Sequence, residues 1–406
     1  MLESDLPPIA SSRMHLLPPY LFGELNRIKM EKRQAGEDII DFVMGNPSDP
    51  APDWVVDKLC EVARDPRNHR YSVSTGIYNL KREAARLYDR HYGVKLDPAR
   101  EVVCTIGSKE GLSHLCLSIL GPGDSVLVPA PAFPIHVYAP IIAGANVIGV
   151  PMGQGNDEES CAQLLAGIDQ TCRHIRPRPK AVIVCYPHNP TARVAEKPFY
   201  EELVRLASKH GFSIIHDFAY AQTAFDGFKP PSVLEVDGAK DLAVEFWTVS
   251  KPYNMAGFRV GFCMGNADMC SLLGKIKGYY DYGIFQAVQV AAIMALREGD
   301  DFAREQAMVY QKRRDVLCKG LSELGWQLQV PRGCMFVWAG IPEQYRKMGS
   351  IDYAKKLMDG ALVAASPGAG FGPDGEGWMR FALVENEKRI QQALRQMRKM
   401  AREDEK

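Results

Sequence analysis

Five short stretches carry side chains whose types and spacing suit chemistry better than packing. Thr248-Val249-Ser250-Lys251 sets an amine directly after an apolar run, with two hydroxyls before it and Arg259 eight positions later. That grouping is hard to explain structurally. Asp217 closes the apolar run 212–216, and a carboxylate there is costly unless it meets a cation or caps a helix. Gly107-Ser108-Lys109-Glu110-Gly111 follows another apolar run and opens a helical pattern. Backbone N–H groups, a hydroxyl and an ammonium thus meet where a helix N-terminus favours anions. Taken alone, this stretch reads as a Ser108 cap beside an exposed lysine. Asn189 lies between two prolines, where alone it forms a turn. Arg380 interrupts the apolar stretch 378–383, a placement that an exposed edge-strand charge explains poorly. His188 and His216 also sit near strand ends, where a single histidine is more often a satisfied core group. Each piece is weak by itself; the combination is not.

The elements that must position these residues follow from periodicity. Apolar, β-branched runs at 102–106, 125–128, 181–186, 212–216, 244–249 and 260–264 predict strands. Several are apolar throughout, as strands buried on both faces should be. Amphipathic stretches such as 109–120 and 197–209 lie between them; the latter puts Phe199, Leu203 and Leu206 at helical spacing and stops at Gly211. This alternation predicts a mostly parallel sheet covered by helices, an α/β fold whose ligands bind at the C-terminal ends of the strands. The last third changes character: a long helical region over 285–324, short strands near 326–330 and 335–339, a helix at 351–360, two further short strands and a basic helix at 387–402. The reading is a large domain over 50–290 and a smaller α+β domain formed by 291–406 with the segment 1–49.

Composition narrows the function. The 406 residues carry 49 basic and 49 acidic side chains, with 46% apolar and 24% charged residues. No basic stripe offers itself to nucleic acid or a membrane surface, so small-molecule partners are expected. No run of about 18 apolar residues occurs, and the prolines and charges of the first twenty residues do not suit a signal peptide. The ten cysteines show no Cys-x-x-Cys pair and no nearby histidine pair with metal-ligand spacing. They read as free thiols in a reducing compartment, with no metal site, and the chain as cytoplasmic. Ser366-Pro-Gly-Ala-Gly-Phe-Gly-Pro lacks the context of a dinucleotide loop, and no P-loop is present.

Together the motifs resemble the fold-type I pyridoxal-phosphate enzymes, specifically class I/II aminotransferases, along nearly the whole chain. Within the family the likeness is to bacterial glutamate–pyruvate (alanine) aminotransferases. It is carried by Asp41-Phe-Val-Met-Gly-Asn-Pro, Ile106-Gly-Ser-Lys-Glu-Gly, Pro134-Ile-His-Val-Tyr, Lys251-Pro-Tyr-Asn-Met-Ala-Gly and Asp281-Tyr-Gly-Ile-Phe. The resemblance implies a seven-stranded, mostly parallel sheet, pyridoxal 5′-phosphate as cofactor and a homodimer with shared sites. Lys251 would anchor the cofactor and carry protons. Asp217 would pair with the pyridine nitrogen, while Tyr220 and Asn189 would serve the phenolic oxygen.

The resemblance further implies that Ser108, Lys109, Thr248, Ser250 and Arg259 hold the phosphate and that Phe133 stacks on the ring. Arg380, Gly45, Asn189 and Tyr20 would bind the substrate, and Tyr71 would reach the partner subunit's phosphate. Pro252 after the lysine and Ala192 after Asn-Pro-Thr depart from the usual pattern. The substrates implied are an L-amino acid, alanine first, and a 2-oxo acid, with Lys277 or the tyrosines at 279, 280 and 282 as suppliers of polar contacts to a longer side chain. LL-diaminopimelate, methionine or aromatic amino acids remain alternatives, as does a β-lyase of the same fold.

Overall fold

The computed structural model describes residue 7 and residues 9–18 and 21–404. Its centre is a seven-stranded sheet. Across it the strands run Val102–Thr105, Gly261–Gly265, Ala243–Thr248, Ser213–Asp217, Ala181–Cys185, Ser125–Ala130 and Asn146–Pro151. Every neighbouring pair is parallel except the two made by Gly261–Gly265, which is antiparallel on both sides. Helices Ser108–Ile119, Pro134–Ile142, Asp157–His174 and Lys197–His210 connect the strands, and Ala267–Tyr280 leads out of the last of them in chain order. The inner strands are buried along their length, which explains their continuous apolar runs.

Six of the seven strands match the periodicity to within a residue or two. Asn146–Pro151 does not announce itself. It is the edge strand, only one of its residues is buried, and Gly149 and Pro151 depress any strand signal. The long helical region at 285–324 is in fact two helices, Gln286–Glu298 and Asp300–Glu323, broken at Gly299. A side chain there would place its Cβ 2.5 Å from the ring of Tyr253, so the break is where two segments touch.

A second core forms around a four-stranded antiparallel sheet ordered Ser366–Pro367, Trp378–Ala382, Phe336–Gly340, Gln327–Leu328. Ile40–Asp41 pairs in parallel with Val363–Ala364, which ties the early chain to this core. Helix Glu387–Asp404 buries Ile390, Ala393, Leu394, Met397 and Met400 against it, an apolar stripe at helical spacing. Each of the larger side chains contributes about 1.5–3 kcal/mol by burial. Among the described residues no helix is long and apolar enough to cross a membrane. All ten cysteines are unpaired and nine of them are buried.

Candidate active site

The C-terminal ends of five strands and the second core enclose a cavity of about 510 Å³. Of the residues singled out in the sequence, Gly45, Ser108, Lys109, Phe133, Asn189, Asp217, Tyr220, Thr248, Ser250, Lys251, Arg259 and Arg380 all line it. A cavity of comparable size, about 490 Å³, lies between helix Pro134–Ile142 and the 370–374 turn, but it gathers no cation.

Lys251 sits in the turn that leaves strand Ala243–Thr248, and Pro252 follows it without diverting it from the cavity. Its Nζ donates to the Gly45 carbonyl at 2.6 Å. Burial lowers its pKa from 10.5 to about 8, and the Arg380 and Arg259 guanidinia push the same way. The amine is enclosed by protein, and the part that stays open faces the cavity.

Asp217 ends its strand with 8% exposure. His136, at the start of helix Pro134–Ile142, lies with Nε2 2.8 Å from Oδ2 of that carboxylate. An ionised carboxylate only accepts, so Nε2 carries the proton and donates. The other oxygen, Oδ1, is buried with no hydrogen-bond partner. A carboxylate oxygen in that state is poised for a donor that enters the cavity. His136 belongs to the motif 134–138, but nothing in its spacing marks it as Asp217's partner; the contact crosses 81 positions of chain.

An anion cradle forms where Gly107-Ser108 meets Arg259. The Arg259 guanidinium donates to the carbonyls of Ala256 (3.0 Å) and Ile106 (3.3 Å), and its backbone is left-handed at φ +57. Two glycines permit the approach: a Cβ on Gly107 would lie 2.2 Å from Nη2 of Arg259, and one on Gly261 would lie 2.7 Å from the Ser108 nitrogen. The Thr248 hydroxyl donates to the Val260 carbonyl (2.9 Å) and receives the Ser250 N–H (3.1 Å). The Ser108 hydroxyl donates to the Trp247 carbonyl at 3.2 Å, and Lys109 is exposed at the rim.

On the opposite wall, Arg380 is no edge-strand charge. It is buried, with its guanidinium 4.1 Å from the ring centre of Phe336 and 4.6 Å from that of Phe371. It donates to Asn189 Oδ1 and to the Val43 carbonyl, both at 2.8 Å. Asn189 Nδ2 in turn donates to the Tyr220 hydroxyl at 3.3 Å, so three residues from three segments form one chain. Burial holds the Tyr220 hydroxyl far above its usual pKa. Ala192 has φ +58, so it keeps the left-handed turn that glycine adopts freely, at a cost of about 1–2 kcal/mol. Phe133 is half-buried with its ring edge-on to His136 at 5.9 Å.

Four expectations fall elsewhere. Tyr71 is 85% exposed, packed on Tyr282 with ring centres 4.7 Å apart, and does not line this chain's cavity. Lys277 is fully buried and paired with Glu110 and Asp281, both at 3.0 Å, so it is no substrate contact here. Tyr279, Tyr280 and Tyr282 are exposed outside the cavity. Tyr20 lies outside the described residues. The two tempting histidines are structural: His216 is bonded to Glu245 at 2.7 Å, and burial lowers the His188 pKa to about 3.

The orphaned oxygen of Asp217, the glycine-walled cradle and the enclosed amine suit a pyridine nitrogen, a phosphate and an aldehyde on one planar cofactor. Comparison with known proteins agrees. The model for "Aminotransferase class I and II" matches residues 37–397. The chain is 49% identical to the glutamate-pyruvate aminotransferase AlaC of Escherichia coli K12, over 97% of this chain and 94% of that protein. It is 39% identical to an LL-diaminopimelate aminotransferase of Dehalococcoides mccartyi, over 95% of this chain and 97% of that one. The solved structure of substrate-bound BacF from Bacillus subtilis superposes with a TM-score of 0.88 at 30% identity, covering 97% of this chain and 98% of that one. The chain therefore belongs to the class I and II aminotransferases, enzymes that use pyridoxal phosphate to move an amino group between an amino acid and a 2-oxo acid.

Proposed function

We propose that this enzyme exchanges an amino group between L-alanine and 2-oxoglutarate, giving pyruvate and L-glutamate, with Lys251 as the anchoring and proton-carrying residue. The observation that carries the site assignment is an amine with its pKa lowered to about 8, in one cavity with a half-satisfied carboxylate and two arginines. Pyridoxal phosphate, when bound, supplies an electron sink for the bonds of the substrate α-carbon. Lys251 would hold it through its amine and would serve as the base and acid that moves the substrate α-proton. Asp217 would bind the pyridine nitrogen through its open Oδ1, and His136 fixes that carboxylate through Oδ2.

Ser108, Lys109, Thr248, Ser250 and Arg259 hold the phosphate, a dianion suited to guanidinium and backbone donors. Phe133 would pack against the ring, and Asn189 with Tyr220 would donate to the phenolic oxygen. Arg380 binds the substrate α-carboxylate through its fork, a planar task that lysine performs poorly, with Gly45 in the same cavity; the family likeness gives Tyr20 a further substrate contact. A division into two domains is supported by the separate cores, but helix Gln286–Glu298 and Ala303 pack in the large one, which argues for a boundary beyond 290. Tyr71 would complete the phosphate site of a second copy in a homodimer, which its exposure on this chain supports. The unpaired thiols support a cytoplasmic location.

The likeness to AlaC favours alanine; the likeness to LL-diaminopimelate aminotransferases favours a longer polar substrate as the second reading. A pocket discriminates a methylene by only about 1–3 kcal/mol, so 2-aminobutyrate should also react. Comparing kcat/KM for alanine, aspartate, methionine, phenylalanine and LL-diaminopimelate with 2-oxoglutarate decides between them. Alanine should rank first or second; any lower place refutes the substrate assignment and leaves the cofactor chemistry standing.

A further inference from the structure

A second polar hollow, of about 390 Å³, lies away from the catalytic cavity. It sits at the outer edge of the seven-stranded sheet, between the start of strand Val102–Thr105 and helix Ala267–Tyr280. Its polar lining is Thr75, Lys81, Arg100, Asp268 and Ser271. Lys81 is the unusual member. It projects from helix Tyr78–Tyr92, is only 8% exposed, and has no hydrogen-bond or ion-pair partner among the described residues. The nearby carboxylate of Glu83 is taken by Arg82, Arg86 and Arg297. Its aliphatic stem is covered by protein while its ammonium opens into the hollow, where no described carboxylate is paired with it.

We propose that this hollow binds a small oxyanion, inorganic phosphate or the phosphate group of a phosphorylated metabolite, with Lys81 as its counter-charge. Two further observations support an anion. The 14-residue helix Ala267–Tyr280 starts at the hollow and lines it along its first two turns, from Ala267 to Gly274, which brings the positive end of the helix dipole close by. Arg100, exposed and likewise without a partner among the described residues, stands at the rim as a second cation. The hydroxyls of Thr75 and Ser271 supply neutral donors. Asp268 opposes the anion, but it is exposed, and two cations face this one carboxylate.

The test uses the full-length, cofactor-loaded enzyme, so that phosphate cannot occupy the cofactor's own site. Phosphate is titrated at constant ionic strength, with chloride as control, and read by calorimetry and by the thermal midpoint. The unaltered enzyme should give saturable binding, and Lys81→Met should weaken it by about tenfold or more while transamination stays near normal. Arg100→Gln, at a surface position where folding is not at risk, should weaken it several-fold, and Asp268→Asn should tighten it. Glycerol 3-phosphate binding tighter than inorganic phosphate would identify a phosphorylated metabolite as the ligand; equal or weaker binding would identify free phosphate. Absence of saturable binding, or identical binding by the Lys81→Met and Arg100→Gln enzymes, would overturn the proposal.

Discussion

Freed of cofactor, the enzyme should acquire its reactive amine near pH 8. An exposed lysine titrates near 10.5, and burial in the cavity lowers Lys251 to about 8. That difference corresponds to about 3 kcal/mol of disfavour for the charged form. The sign follows from the cause: a lowered lysine pKa means the neutral, nucleophilic form prevails above about 8 and persists in part below it. At pH 7, about one Lys251 in ten is then neutral, against about one in 3,000 for an exposed lysine. The gain in nucleophile at neutral pH is about 300-fold. Stopped-flow recombination of the cofactor-free enzyme with pyridoxal phosphate between pH 6 and 10, with N-acetyl-lysine amide as control for the cofactor's own titration, measures it. The rate should rise about tenfold per pH unit and level off near pH 8. Arg380→Gln, which removes a cation that pushes the same way, should move the plateau to higher pH. A rate that climbs with hydroxide through pH 10 would refute the argument from burial.

Asp217→Ala should fold and bind cofactor but slow exchange of the substrate α-proton in D2O by about 10²–10⁴-fold; near-normal turnover would make the carboxylate merely structural. Arg380→Lys should lower kcat/KM by about 10–150-fold, mainly through KM for the amino acid, because one ammonium replaces a bidentate fork. Gly107→Ala sets a methyl 2.2 Å from the Arg259 guanidinium on a backbone at φ +74, and equilibrium dialysis should show weaker cofactor retention. Mixing inactive Lys251→Ala with a Tyr71→Ala variant should restore part of the activity through hybrid dimers, and a fully active monomer in sedimentation would contradict shared sites.

Much of this was legible because the chemistry sits at strand ends, where sequence periodicity is strongest. Lys251 and Asp217 each follow an apolar run that the fold uses as an inner strand, so their placement came with the strands. Arg380 was legible as an anomaly in its strand, and its substrate role came only with the family resemblance. Its aromatic walls, Phe336 and Phe371, come from 44 and nine positions away and mean nothing until the second sheet forms. His136 escaped for the same reason: a helix start meets a strand end only through the crossover topology. The edge strand at Asn146–Pro151 escaped for the opposite reason, since half-exposed strands carry little apolar signal. Lys277 misled because an amine near a family motif says nothing of its burial, and Glu110 and Asp281 claim it.

The pair His216 and Asp217 shows how adjacent residues acquire unrelated roles. Successive side chains of a strand point to opposite faces. Asp217 faces the cavity and His136. His216 faces the other layer, where its Nδ1 meets Glu245, its registered neighbour on strand Ala243–Thr248. Glu245 is fully buried and also accepts from Tyr88 (2.9 Å), Ser232 (2.6 Å) and the Val233 N–H (2.7 Å), so its charge is satisfied four times over. Asp217, by contrast, keeps one oxygen unsatisfied. Two buried carboxylates on neighbouring strands thus differ in one respect that decides function: the structural one has every acceptor filled, and the one facing the cavity keeps an acceptor open for a ligand.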